Sequence, residues 1–265
     1  THAWAPAEAT LIFVGDITPA AAKALAERSL GAWKGDAATG AQDDAHPAYP
    51  KPRVVVVDMP GAGQAGVVVS RIGIARSDPQ FYPAAVANTI LGGGFSSRLN
   101  QEIRIKRGLA YGAGSALSAR RDVGSISGRT STKNPGAPET VSIILAEMKR
   151  LGSTPVSPSE LETRKAVLIG GFGRATETTG GIAGTLGGFV EQNVPLTELQ
   201  RFIPSVSAVD ARAVQHAAQT LFDPASANIV VVGDAKLFVD DLRKAYPDLE
   251  VIPADKLDLD SPTLK

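Results

Sequence analysis

LGGGFSSRLNQEIRIKRGLAYG, residues 91–112, is the stretch on which the fold turns. Three glycines lead into two serines. A basic run with Leu99, Ile103 and Lys106 at helical spacing follows. Ser96 or Ser97 suits the N-cap, and Gly108 suits the position just past the helix end. Gly108-Leu109-Ala110-Tyr111 then feeds a strand-like run. Taken alone, the glycine loop has two readings. It could offer main-chain N–H groups to an anion at a helix N-terminus, or serve as a flexible turn between two helices. The Gly-Lys-Ser/Thr ending of a nucleotide loop is absent, which favours the turn.

The flanks place this stretch in a larger unit. RVVVVDMPG and GVVVSRIGIA read as β-strands on either side of GAGQAG, residues 61–66. That hexapeptide is a literal G-x-G-x-x-G, but a dinucleotide site needs a helix to open there, and the following run is β-branched. A glycine-rich strand connection is the expectation. Residues 79–91 have helical spacing, LAYGAGSALSA and VGSISGRTST alternate as strands, and Pro138-Glu139 opens a helix running through Arg150. Ser157-Pro158-Ser159-Glu160 starts another with a capping pattern. A third, near 178–192, places Gly180, Gly184, Gly187 and Gly188 on one bare face, where another backbone is expected to approach. VDARAVQHAAQTLF is a further helix before IVVVGD. Paired strands and runs of helices predict an α+β fold, a mixed, mostly antiparallel sheet with helices packed on one face.

An internal echo sets the domain organisation. ATLIFVGDIT (9–18) and ANIVVVGDAK (227–236) share Ala, a polar residue, four apolar residues and Gly-Asp, each before a helix-like run. Residues 1–35 are therefore expected to hold the last strand and helix of a preceding lobe. Residues 36–52, rich in Ala, Asp, Gly and Pro, read as a linker, 53–250 as a complete C-terminal lobe, and 251–265 as a tail.

Composition narrows the function classes. Lys plus Arg equals Asp plus Glu at 27 each, so nucleic acid is not an expected partner. No apolar run approaches the roughly 20 residues of a membrane span. The chain has no cysteine, which rules out disulfides and thiolate metal sites and fits a periplasmic or otherwise exported protein. Its three histidines, His2, His46 and His216, are dispersed, and neither H-x-x-E-H, H-E-x-x-H nor G-x-S-x-G occurs. No metal, cofactor or catalytic residue is expected on this chain itself.

The ordered set of glycine loop, Ser97-Arg98-Leu99, helix with Arg104, and Gly108-Leu109-Ala110-Tyr111 resembles the second, non-zinc-binding lobe of the pitrilysin, insulinase and mitochondrial processing peptidase family of zinc metallopeptidases. The resemblance extends over most of 10–240. It implies a LuxS/MPP-like metallohydrolase lobe, with zinc on a missing or partner lobe. It also implies substrate contact by Arg104 and Tyr111, seven residues apart, and by the loop Gly92, Gly93 and Gly94. The partners it implies are a peptide or unfolded protein, and another peptidase lobe or subunit in a homo- or heterodimer. The chain alone would be inactive, and the parent assembly a zinc metalloendopeptidase. Without the family pattern, Arg104 reads as a solvated helix residue and Tyr111 as a core strand residue. Two alternatives stand beside this reading: a scaffold lobe of an inactive subunit, and, more remotely, a nucleotide-binding α/β protein using GAGQAG or GGGFSS.

Overall fold

The computed structural model describes residues 6, 9–35, 51–261 and 263–265. In chain order its main elements are α1 (Pro19–Leu30), β1 (Val54–Asp58), β2 (Ala65–Ile72), α2 (Phe81–Gly92), α3 (Arg98–Asn100), β3 (Ala113–Ser118), β4 (Ser125–Thr132), α4 (Ala137–Ser153), α5 (Pro158–Ala175), α6 (Thr179–Glu191), α7 (Glu198–Ser207), α8 (Ala211–Leu221), β5 (Asn228–Gly233), α9 (Val239–Ala245) and β6 (Glu250–Pro253). The chain divides into two units, one of residues up to 50 with Gly170–Arg201, the other of Lys51–Ile169 with Phe202–Lys265.

The larger unit is built on a six-stranded sheet in the order β3-β4-β2-β5-β1-β6. β1 runs parallel to β5 and β6, whereas β2–β4, β2–β5 and β3–β4 are antiparallel. The strand sequences explain their places. β1 is an unbroken valine run because both its faces are covered. Val56 joins the main core, while Val55 and Val57 pack with Ile252 of β6, against which Leu257 and Leu264 fold back. The sheet thus extends past residue 250, the boundary expected for the lobe. β2 alternates instead, with Ala65, Val67 and Val69 buried and Val68 exposed. Among the described residues of this unit, only the helix side of the sheet is covered at the β2, β4 and β3 end.

Helices α2, α4 and α8 fill that side. Ile90, Leu91, Ile144, Met148, Leu151, Val214 and Ala217 meet Val67, Val69, Ile126 and Val231 in one core. α4 starts where Pro138 predicts, and Ser157 caps α5 by accepting the Glu160 main-chain N–H at 3.3 Å. The Glu160 side chain does not close a capping box. It turns to Arg98 instead.

One expectation is met, and two others differ from the structure. The hexapeptide GAGQAG opens β2 at Ala65, not a helix, which removes the dinucleotide geometry. In the smaller unit α1 forms, capped by Thr18, but residues 9–18 form no strand. A strand needs a ladder partner, and Leu11, Phe13 and Ile17 are left exposed. On α6, the glycine face meets no close backbone among the described residues. Only Ile12 Cδ1 comes near, 3.8 Å from a Cβ placed on Gly187. The linker expected at 36–52 lies, apart from its last two residues, outside the described residues.

Candidate functional site

The glycine stretch joins α2 to α3, and each of its residues has a distinct setting. Gly92 is buried, and a Cβ there would run into the main chain of Gly114 and Ser115 on β3. Its lack of a side chain is what lets α2 pack against the edge of the sheet. Gly93 is half-buried against Thr89. Gly94 lies in open space. The loop's N–H groups are largely committed: Gly93 donates to the Thr89 carbonyl, Gly94 to that of Gly92, and Ser97 to that of Gly94. This leaves little of the anion cradle that the sequence allowed.

Three buried side chains hold the loop. Asn100 donates to the Phe95 carbonyl at 2.6 Å and accepts from the Ala113 N–H at 3.2 Å, tying the loop to β3. Arg164 on α5 donates to the Ser96 hydroxyl at 3.0 Å and to the Ser96 carbonyl. Arg98 makes a two-pronged pair with Glu160 at 2.9 and 2.8 Å, and this guanidinium holds the Glu160 carboxyl below its usual range.

From Arg98 the chain makes one turn of α-helix and then widens into a π-helical turn over Gln101–Lys106. The Leu109 N–H reaches the Ile103 carbonyl at 2.9 Å, and Gly108, at φ 62°, turns the chain out of the helix. Two β4 threonines then bracket Tyr111. Thr132 donates to the Leu109 carbonyl and Thr130 to the Gly112 carbonyl, each at 2.6 Å. The Tyr111 backbone is held while its side chain stays 90% exposed. Tyr111 is therefore not the core strand residue that its isolated context suggests.

The turn brings Arg104 and Tyr111 together. The Arg104 guanidinium carbon lies 4.7 Å from the centre of the Tyr111 ring and 4.8 Å from that of Phe95. Glu102, the acid nearest in sequence, is spent on Lys106 and Arg107. Their hydrogen bonds, Lys106 first, lower its pKa. Arg104 has no carboxylate partner among the described residues. Beside Gly112, the open sheet face carries a shallow depression of about 450 Å³ lined by Gly66, Val68, Gly114, Arg129 and Ser131.

Sequence reasoning missed Phe95, Asn100, Glu160 and Arg164. Phe95 carried a signal, a large aromatic in a glycine loop with no apolar periodicity to place it in a core. Glu160 and Arg164 carried none, because their partners lie 62 and 68 positions away, and nothing in the sequence marks the shorter-range bonds of Asn100. His216 is exposed on α8, and no group of three or more His, Cys, Asp or Glu that could hold a metal occurs among the described residues. No described helix is long and apolar enough to cross a membrane.

A family model described as the Peptidase M16 inactive domain matches residues 2–168. The chain belongs to this family. This M16 inactive domain is 30% identical over 154 residues to an uncharacterized zinc protease of Streptomyces coelicolor, covering 57% of this chain and 34% of that protein. It is 32% identical over 119 residues to an uncharacterized zinc protease of Bacillus subtilis, YmxG, covering 44% of this chain and 28% of that one. Among solved structures, an M16 inactive domain from Pseudomonas fluorescens superposes with a TM-score of 0.74 at 28% identity, over 83% of this chain and 52% of that one. A protease from Helicobacter pylori gives 0.76 at 20% identity, over 83% and 53%, a likeness of fold alone. The M16 domain here thus matches about a third of the two zinc proteases and about half of the two structures. The α+β lobe and the resemblance to the pitrilysin-type metallopeptidases are both borne out.

Proposed function

We propose that this lobe supplies a peptide-contacting wall to a zinc endopeptidase whose metal lies on another lobe or subunit. The observation that carries this is the meeting of the half-buried Arg104 with the exposed Tyr111 ring. A guanidinium always carries its charge, and a phenol offers one O–H donor. Both suit a peptide carbonyl, whose oxygen gains negative charge as its carbon turns tetrahedral, and both suit the neighbouring backbone of an extended substrate. Gly94 leaves space for that backbone, and Gly92 and Gly93 set the path of the loop. The described side chains of this lobe do not make a site for zinc, so its role in this reading is to bind and orient the peptide.

Two further features support placing the assembly outside the cytoplasm. The chain has no cysteine, and it shares its fold with the periplasmic protease PqqL of Escherichia coli, at a TM-score of 0.66 and 17% identity over 82% of this chain and 24% of that one.

The test is binding of fluorescein-labelled β-casein, an unfolded protein, followed by anisotropy. Arg104→Ala is expected to weaken binding by about tenfold or more, the effect of removing a charged donor, and Tyr111→Phe by about three- to tenfold. A scaffold lobe that serves only to bind a catalytic partner would be indifferent to both. Unchanged affinity in both variants overturns the peptide-wall reading.

A further inference from the structure

We propose that Phe95 is a positioning residue of this site, holding the Arg104 guanidinium against its ring so that the in-plane N–H donors face a bound peptide. This rests on the peptide-contacting role of Arg104 and Tyr111, and adds a third residue to it.

The fold does not account for the Phe95 side chain. It is 62% exposed, so it contributes little to a core. The loop is anchored through the Phe95 main chain, whose carbonyl accepts from Asn100 at 2.6 Å, and through Ser96, which Arg164 holds. A rigid loop thus presents a large aromatic to solvent. What that ring touches is Arg104, whose guanidinium carbon lies 4.8 Å from its centre, while Tyr111 approaches the same group at 4.7 Å. Both distances fall within the range at which a ring face attracts a cation.

The consequence follows from the shape of guanidinium. Its five N–H donors lie in one plane, and ring faces cannot satisfy them. No carboxylate takes them among the described residues, since Glu102 is engaged by Lys106 and Arg107. An arginine on a long, mobile stem loses rotamer freedom when it binds. Two flanking rings remove part of that freedom beforehand and leave the donors ready for the carbonyl oxygens of a peptide. Gly94, beside Phe95 and with open space around it, keeps the approach clear.

The experiment uses this chain with ¹⁵N-labelled arginine, in the wild type, Phe95→Leu, Phe95→Trp and Arg104→Ala. Two readouts are taken: the Arg104 Nε–Hε resonance, assigned by its loss in Arg104→Ala, and the affinity for fluorescein-labelled β-casein. Leucine keeps apolar bulk and removes the ring. Phe95→Leu is expected to shift the Arg104 resonance by removing a ring current and to weaken β-casein binding about two- to fivefold. Phe95→Trp is expected to restore the affinity. If Phe95→Leu leaves resonance and affinity at wild-type values, the positioning role is overturned. If Arg104→Ala weakens binding and Phe95→Leu does not, Phe95 loses its role while the peptide reading survives. If β-casein binds all four proteins equally, or none, both proposals fall.

Discussion

Two glycine loops in this chain look alike in sequence and do different work. GAGQAG, residues 61–66, joins β1 to β2 and is wired inward. The Gly61 N–H donates to Asp234 at 3.1 Å, and Asn134 donates to the Ala62 carbonyl at 2.7 Å. Asn134 in turn accepts from the Asp234 N–H at 3.0 Å, so the loop is tied to the Gly-Asp that ends β5. GGGFSS, residues 92–97, is held just as firmly by Asn100 and Arg164, but it presents an aromatic side chain to solvent beside an arginine without a carboxylate partner among the described residues. Glycine content does not separate the two. What separates them is which side chain the loop holds at the surface, and what stands next to it.

Substitutions can break or sharpen this contrast. The largest effect is expected at Gly92→Ala, whose methyl would overlap the β3 main chain at Gly114 and Ser115. Backbone cannot rotate away as a side chain can, so a loss of about 3 kcal/mol in urea unfolding is expected. A neutral result would mean that α2 and β3 are not in close contact. Next comes Asn100→Ala, which removes two hydrogen bonds and strands the Phe95 carbonyl and the Ala113 N–H. A stability loss of about 1–3 kcal/mol is expected. Faster hydrogen exchange should appear at Ala113 while residues 61–66 keep wild-type rates. Equal acceleration in both loops would show that they are not independently anchored. The smallest effect belongs to Gly63→Ala. A methyl there meets nothing within 4 Å, and Gly63 is not among the positive-φ glycines. Its stability should match wild type or exceed it by up to about 1 kcal/mol, because alanine loses less conformational entropy on folding than glycine. A loss comparable to that at Gly92 would show that the first loop also depends on close packing.

Much of the fold was legible because it rests on local rules. Valine runs mark β1 and β5, Pro138 and Ser157 mark helix starts, and Gly108 marks a helix end, found here at φ 62°. A helical turn and a glycine reversal return the Arg104 and Tyr111 side chains to one place. The illegible part is non-local. The Ser-x-x-Glu pattern at Ser157 looks like a capping box, yet Glu160 answers to Arg98, 62 positions away. The four-residue apolar run near residue 11 reads as a strand, but strand formation depends on a partner edge, and none pairs with it among the described residues. The helical glycine face at 180–188 similarly announces close packing without saying against what.

The sequence by itself determined most elements of the larger lobe, the class of the fold and the family, because these follow from periodicity, turn chemistry and one ordered motif. Only the tertiary structure decided that Tyr111 stands in solvent rather than in the core, that Gly92 serves packing while Gly94 stays open, and that Phe95 belongs with Arg104. Exposure and contact are set by neighbours brought from elsewhere in the chain. Here those neighbours are the β4 threonines, Asn100 and the α5 arginine.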